Sequence, residues 1–255
     1  MNPLHEANRK RWQHASAAWA RGADYRGLWK PAFSTPGLVL LEEELALLGD
    51  IRGKSACVLG SGDNQAVFAL AGMGAAVTSV DISQNQLDVA RQRAESLGAT
   101  IQFVCADVTD LSALGAGTFD IVYTGGHVAV WVSDLPKYYS EATRILKPRG
   151  LFLINEYHPF RRLWKESAEK LELNVGYFER GPHTHDYTDN ILVRERGEHR
   201  CYEFHWTVSD FIGAVLSAGN EIICVKEAGE LNEGWETTPM NGLPQCLIIA
   251  ARKTS

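Results

Sequence analysis

Short apolar runs along this chain alternate with segments whose apolar residues recur every three or four positions. Residues 56–59, 77–80, 101–106, 119–123 and 151–157 are compact runs rich in Val, Ile, Leu and Phe, the signature of buried strands. Between them, Ala66, Val67, Leu70 and Ala71 mark one helical face, Leu87, Ala90, Ala94 and Leu97 a second, and Tyr139, Ala142, Ile145 and Leu146 a third. Ser83 and Gly98 bracket the second helix as caps. Pro136 opens the third, which is expected to end in the turn Lys147-Pro148-Arg149-Gly150. Strand, helix and strand in repetition build a parallel α/β sheet with right-handed crossovers. A helix over 209–218 and strands over 221–226 and 243–252 complete the pattern.

Two regions stand outside it. Residues 4–21 are helical in composition, with Trp12, Ala15 and Trp19 on one face, and Pro36 could start a second helix over 37–48. The expected organisation is an N-terminal helical arm at 1–49, serving as a lid or as a docking helix, before a single domain at 50–255. An insertion at 159–207 interrupts that domain. Its alternating runs 191–196 and 200–206 read as a β-hairpin with Phe204 and Trp206 as aromatic surface. The final loop, 229–242, places Trp235, Pro239 and Met240 as second candidates for a ligand pocket.

The most informative stretch joins the first two strands. The turn Gly60-Ser61-Gly62-Asp63-Asn64 lets backbone approach a ligand at a helix start, and Asp81 ends the next strand 19 residues after Gly62. An acid at that place can hold a ribose diol. Gln65 stands where a dinucleotide fingerprint requires Gly or Ala, so the turn argues against a nicotinamide enzyme. Asn64 tolerates left-handed geometry and can stand in for a third glycine.

The glycine turn, Asp81, Asp107, the run Phe119-Asp120-Ile121-Val122-Tyr123, the sequence Leu146-Lys147-Pro148-Arg149-Gly150 and the strand after it follow in order. Over residues 54–157 this resembles the class I S-adenosylmethionine-dependent methyltransferases, and most nearly their small-molecule type 11 or 12 group. The resemblance implies a Rossmann-like, doubly wound, seven-stranded sheet whose last strand is reversed. It implies S-adenosyl-L-methionine bound through Gly60, Ser61, Gly62, Asp63, Asn64, Asp81, Ile82, Asp107, Val108, Thr124 and Gly125. In this family the acid matching Asp107 takes the adenine amino group. Val58 departs from the pattern, which has an acid there.

A sulfonium donor is already activated, so the protein must chiefly align the acceptor and exclude water. Where the acceptor needs a base, His127 and His158 follow the fourth and fifth strands, with Glu156 or Tyr157 to orient them; shaping roles for both histidines are the plainer reading. The acceptor is expected to be a small molecule attacking through O, N, S or C. A scaffold that binds the nucleoside without turnover is the second alternative.

Composition narrows the partners. With net charge −6 over 255 residues, a sequence-independent nucleic-acid binder is not expected. The short basic clusters Arg9-Lys10-Arg11 and Arg161-Arg162 read as solvated faces. Five cysteines, Cys57, Cys105, Cys201, Cys224 and Cys246, without a C-x-x-C pair read as buried reduced thiols, four of them in apolar runs that read as strands. His183, His185 and Asp186, joined by His199 or His205, could ligate a metal, but a polar loop is the preferred reading and no metal is expected. The absence of a signal-like or membrane-spanning run points to a cytoplasmic protein, monomeric or homodimeric.

Overall fold

The computed structural model describes residues 1–62, 65–165, 169–185, 200–229, 240 and 242–254. In chain order it contains α1 (Pro3–Arg26), α2 (Trp29–Ala32), α3 (Glu42–Leu48), β1 (Ser55–Leu59), α4 (Gln65–Gly72), β2 (Ala76–Asp81), α5 (Gln84–Leu97), β3 (Ile101–Cys105), β4 (Phe119–Gly125), α6 (Leu135–Ile145) and β5 (Leu146–Tyr157). After these come β6 (His183–His185), β7 (Cys201–Glu203), α7 (Val208–Ser217), β8 (Asn220–Ala228) and β9 (Cys246–Lys253). Seven strands form one sheet in the order β3-β2-β1-β4-β5-β9-β8, and β9 alone runs antiparallel to its neighbours.

Alternation along each strand sorts the core into two layers. Leu59, Val122, Phe152 and Ile249 face α6 and α7, where they meet Tyr138, Tyr139, Ile145, Phe211 and Val215. Their neighbours Val58, Tyr123, Leu153 and Ile248 face the other side, against Leu48 of α3 and Ala66, Val67 and Leu70 of α4. The strand order reverses between β1 and β4, and it is at such a switch point, beyond the carboxyl ends of the strands, that open α/β sheets hold ligands.

Several expected boundaries shift for identifiable reasons. The first helix runs to Arg26, capped by Asn2 and stopped by Gly27 in the left-handed region. The helix expected over 37–48 is a 3-10 turn at Pro36–Leu38 followed by α3, because Glu44 accepts the Leu41 N–H at 2.9 Å and restarts the helix there. The Lys147-Pro148-Arg149-Gly150 segment belongs to β5, not to a helix end, since Phe119 pairs with Leu146 before a register shift in the ladder. Lys147 is held there by Asp120, 2.9 Å away. In the insertion, β7 pairs with β6, so the hairpin partner is His183–His185. The expected strand 191–196 lies outside the described residues, as do Trp235 and Pro239.

Two expectations about side chains are corrected. Arg11 and Arg161 are buried rather than solvated. Cys105, at the end of β3, is exposed, while Cys57 and Cys201 are buried and all five thiols are free. Among the described residues, no helix is long and apolar enough to cross a membrane.

Candidate active site

The turn after β1 is shaped by its glycines. Gly60 and Gly62 have φ of +61° and +49°, and a Cβ on Gly60 would lie 2.3 Å from Val128 Cγ1. The loop after β4 therefore lies directly against the turn after β1, and only glycine permits the contact. Ser61 is tied to the second strand: its N–H and its hydroxyl both donate to the Val80 carbonyl, and the hydroxyl lies 2.6 Å from Ser79 Oγ. Asp81 fixes the turn from the side, its Oδ2 accepting the Gly62 N–H at 2.7 Å and its Oδ1 the Ser83 N–H at 2.8 Å. Asp63 and Asn64 lie outside the described residues.

Asp107 stands just past β3 and is buried. Its Oδ1 accepts from both the backbone N–H and the hydroxyl of Thr109, and its Oδ2 lies 2.7 Å from His5 Nδ1 on α1. Burial alone would raise this carboxyl, but the bonds from His5 and Thr109 outweigh it and hold the group below its ordinary value. The Ala106 N–H bonds the Asp81 carbonyl, so the two acids are joined through backbone. Val108 is buried beside them, and Thr124 is buried with its hydroxyl accepting from Tyr138. Gly125 is crowded in its turn, since a Cβ there would meet Tyr123 Oη at 2.4 Å.

Residues 58–154 match the sequence family described as "Methyltransferase domain". The chain belongs to the class I S-adenosylmethionine-dependent methyltransferases of the type 11 group. The uncharacterized methyltransferase YbaJ of Bacillus subtilis is 32% identical over 174 residues, 66% of each protein. A ubiquinone biosynthesis O-methyltransferase of Paramagnetospirillum magneticum is 27% identical over 200 residues, 72% of this chain and 77% of that one. Biotin biosynthesis bifunctional protein BioHC of Saccharophagus degradans is 34% identical over 100 residues, and the match spans only 18% of its length. A crystal structure of a putative S-adenosylmethionine-dependent methyltransferase from Listeria monocytogenes superposes with TM-score 0.66 at 21% identity, covering 82% of this chain and 95% of that one, a likeness of fold.

S-adenosyl-L-methionine is the cofactor of this methyltransferase family, and the residues present suit it. The glycine turn stands at the carboxyl end of β1 beside Asp81, and the charged Asp107 retains acceptor capacity on Oδ2 after its three protein bonds, since an ionised carboxylate has about four acceptor positions.

Beyond the ends of β4 and β5 lies a second cluster. His127, Glu156, Tyr157, His158, Arg162, Phe204, His205 and Trp206 line one cavity of ≈ 30 Å³, the space of one or two waters. A larger cavity, ≈ 180 Å³, lies at the opposite crest among Lys54, Asp120, Lys147 and Arg252, away from the strand ends that carry the glycine turn.

The residues nominated for proton transfer are brought together here, but most have other duties. His127 sits at φ +54°, stacks on Tyr157 with centroids 4.1 Å apart, and accepts from the Arg162 guanidinium at 3.1 Å. Burial, then the nearby Arg162, push its imidazole well below the usual value, and the Nε2 lone pair a base would use is already taken by Arg162. His158 caps a 3-10 turn, taking the Phe160 N–H on Nδ1 while Nε2 meets Glu227 at 2.8 Å. Glu156 accepts the Ala129 N–H at 3.1 Å, and its carboxyl bonds go to Ala129, Val128 and Thr124. Burial raises its carboxyl to about 8, against which the Ala129, Val128 and Thr124 bonds pull only in part, so it is protonated at neutral pH.

Sequence reasoning passed over His205 as a base. Its ring is buried against His183, centroids 4.1 Å apart, and neither ring nitrogen makes a hydrogen bond among the described residues. Nε2 lies 3.6 Å from Glu203 Oε2, an ion-pair contact longer than a hydrogen bond. Burial lowers the imidazole below its ordinary value, with Glu203 opposing, so the neutral form keeps a lone pair available. The signal was the spacing Glu203, His205, two residues apart in a run that was read for its aromatic residues and, at His205, for a metal ligand. Of the metal hypothesis, Asp186 and His199 lie outside the described residues.

Proposed function

We propose that this methyltransferase methylates a small molecule at a hydroxyl group, with His205 taking the proton. The observation that carries this reading is the pairing of two sites at one crest: a glycine turn flanked by Asp81 and Asp107, and a cavity lined by His205, whose ring nitrogens make no hydrogen bond among the described residues. Bound S-adenosylmethionine supplies a methyl on a sulfonium that needs no further activation. Gly60, Ser61, Gly62, Asp81, Ile82, Asp107, Val108, Thr124 and Gly125 would hold it.

The chain's own part is alignment and removal of one proton. Tyr157 and His127 form a stacked wall, with the Arg161 guanidinium 4.4 Å over the Tyr157 ring. His205 accepts the hydroxyl proton as the oxygen gains its methyl, and Glu203, buried behind it, stabilises the imidazolium that results. Protonated Glu156 keeps the floor of the cavity uncharged. α1 lies over Asp107 through His5 and against Trp131 and Tyr202 through Asn8, as the lid of the N-terminal arm. The ubiquinone biosynthesis relatives, named as O-methyltransferases, agree with attack through oxygen.

The test is incubation with S-adenosylmethionine labelled in its methyl group and panels of small phenols, alcohols, thiols, amines and carboxylates, read by mass spectrometry. Label moving to phenols or alcohols supports the reading. Label moving only to thiols, amines or carboxylates refutes hydroxyl attack and leaves the cofactor site intact.

A further inference from the structure

The structure assigns the first helix to the wall of the cofactor site, and we propose that His5 is the positioning residue that sets Asp107 to read adenine. This rests on the reading of Asp81 and Asp107 as an adenosine site. The geometry is a three-way junction. His5 Nδ1 lies 2.7 Å from Asp107 Oδ2, and Nε2 receives the Ser133 N–H at 2.9 Å. A backbone N–H can only donate, so Nε2 presents a lone pair and the proton sits on Nδ1, aimed at the carboxylate. Asn2 closes the chain by donating to Ser133 Oγ, which is itself 2.9 Å from Nε2.

The consequence follows from counting acceptor positions. Thr109 uses both positions on Oδ1, and His5 uses one on Oδ2. The remaining position on Oδ2 is suited to one donor, and the exocyclic amino group of adenine is such a donor. His5 thus fixes the carboxylate's rotation and leaves it selective for a base that donates there. Hypoxanthine, which presents a carbonyl oxygen in the same place, would meet repulsion. The rest of α1 holds His5 in register: Asn8 donates to the Trp131 and Tyr202 carbonyls and accepts the Tyr202 N–H, and Gln13 accepts from Ser83 Oγ and from the Asn85 side chain.

The experiment is calorimetric titration of the full chain with S-adenosylhomocysteine and with S-inosylhomocysteine, for wild type, His5→Asn and His5→Phe. Asn carries an amide nitrogen where Nδ1 stands, whereas Phe keeps the ring and removes both nitrogens. Wild type should prefer the adenosyl compound. His5→Phe should bind it about tenfold more weakly, the scale of one hydrogen bond to a charged group, and should lose most of the preference. His5→Asn should stay within about threefold of wild type, because its donor remains.

Unchanged affinity and preference in His5→Phe overturn the proposal. So does a His5→Asn protein as impaired as His5→Phe, which would mean that the side chain merely packs. If His5→Phe does not fold, as judged by circular dichroism, His5→Gln replaces it, since its amide lies one bond too far out to occupy the Nδ1 position. A wild-type protein that binds neither compound removes the adenosine reading itself, and the proposal with it.

Discussion

Glu156→Gln should stabilise the protein, and by more at pH 8 than at pH 6. Glu156 is 2% exposed, and burial raises its carboxyl from an ordinary 4.5 to about 8. The folded state therefore holds the proton more tightly than the unfolded chain does. Its stabilising effect is complete below about 4.5, declines as pH rises, and is gone above about 8. Each pH unit inside that window weighs about 1.4 kcal/mol, so the window as a whole is worth on the order of 5 kcal/mol. Glutamine has the same shape, can accept the Ala129 N–H as the carboxyl does, and never ionises. Urea unfolding of both proteins at pH 6, 7 and 8 measures the effect. The stability difference between variant and wild type should grow by about 1.4 kcal/mol per pH unit. A difference that stays flat from pH 6 to pH 8 refutes the reasoning, because it would mean that Glu156 is ionised in the fold throughout.

Three further outcomes are expected. Asp81→Ala should weaken S-adenosylhomocysteine binding by about 1–3 kcal/mol, since the Gly62 and Ser83 N–H groups lose their acceptor along with any ribose contact; unchanged calorimetric affinity would take Asp81 out of the site. His205→Gln should lower kcat toward a hydroxyl acceptor about 100-fold, the usual scale for a lost general base, while the KM for S-adenosylmethionine holds; an unchanged kcat would assign the proton to another group. Gly72→Ala should cost about 1–3 kcal/mol in thermal or urea unfolding, because a Cβ there would lie 1.7 Å from the Phe33 carbonyl oxygen and would push the arm off α4; wild-type stability would show that the arm yields freely.

What the sequence revealed and what it hid follow from the range of the interactions. The inner strands β1, β2, β4 and β9 were legible because they are buried on both faces, so each reads as a continuous apolar run with its alternation carried by packing partners. The turn at Gly60 and the acids Asp81 and Asp107 were legible because loop, strand and acid recur at fixed separations. The Lys147-Pro148-Arg149-Gly150 segment misled because lysine, proline and glycine are turn residues by local propensity, and only the ladder with Phe119 and the bond to Asp120 make it strand. The burial of Arg161 was hidden although its contact is local, because composition alone does not show that the ring of Tyr157, four residues back, lies beneath its guanidinium. His5 was hidden because its partners are 102 and 128 residues away.

That separation bears on how the protein is made. Asn8 is bonded to Tyr202 across 194 positions, so α1 leaves the ribosome long before the segments it crosses exist. An element made well before its partners is among the last that can dock, and until they emerge its tryptophans lack the segments that cover them. Refolding from denaturant, where every segment is present from the start, should therefore seat this helix sooner relative to the sheet than synthesis does.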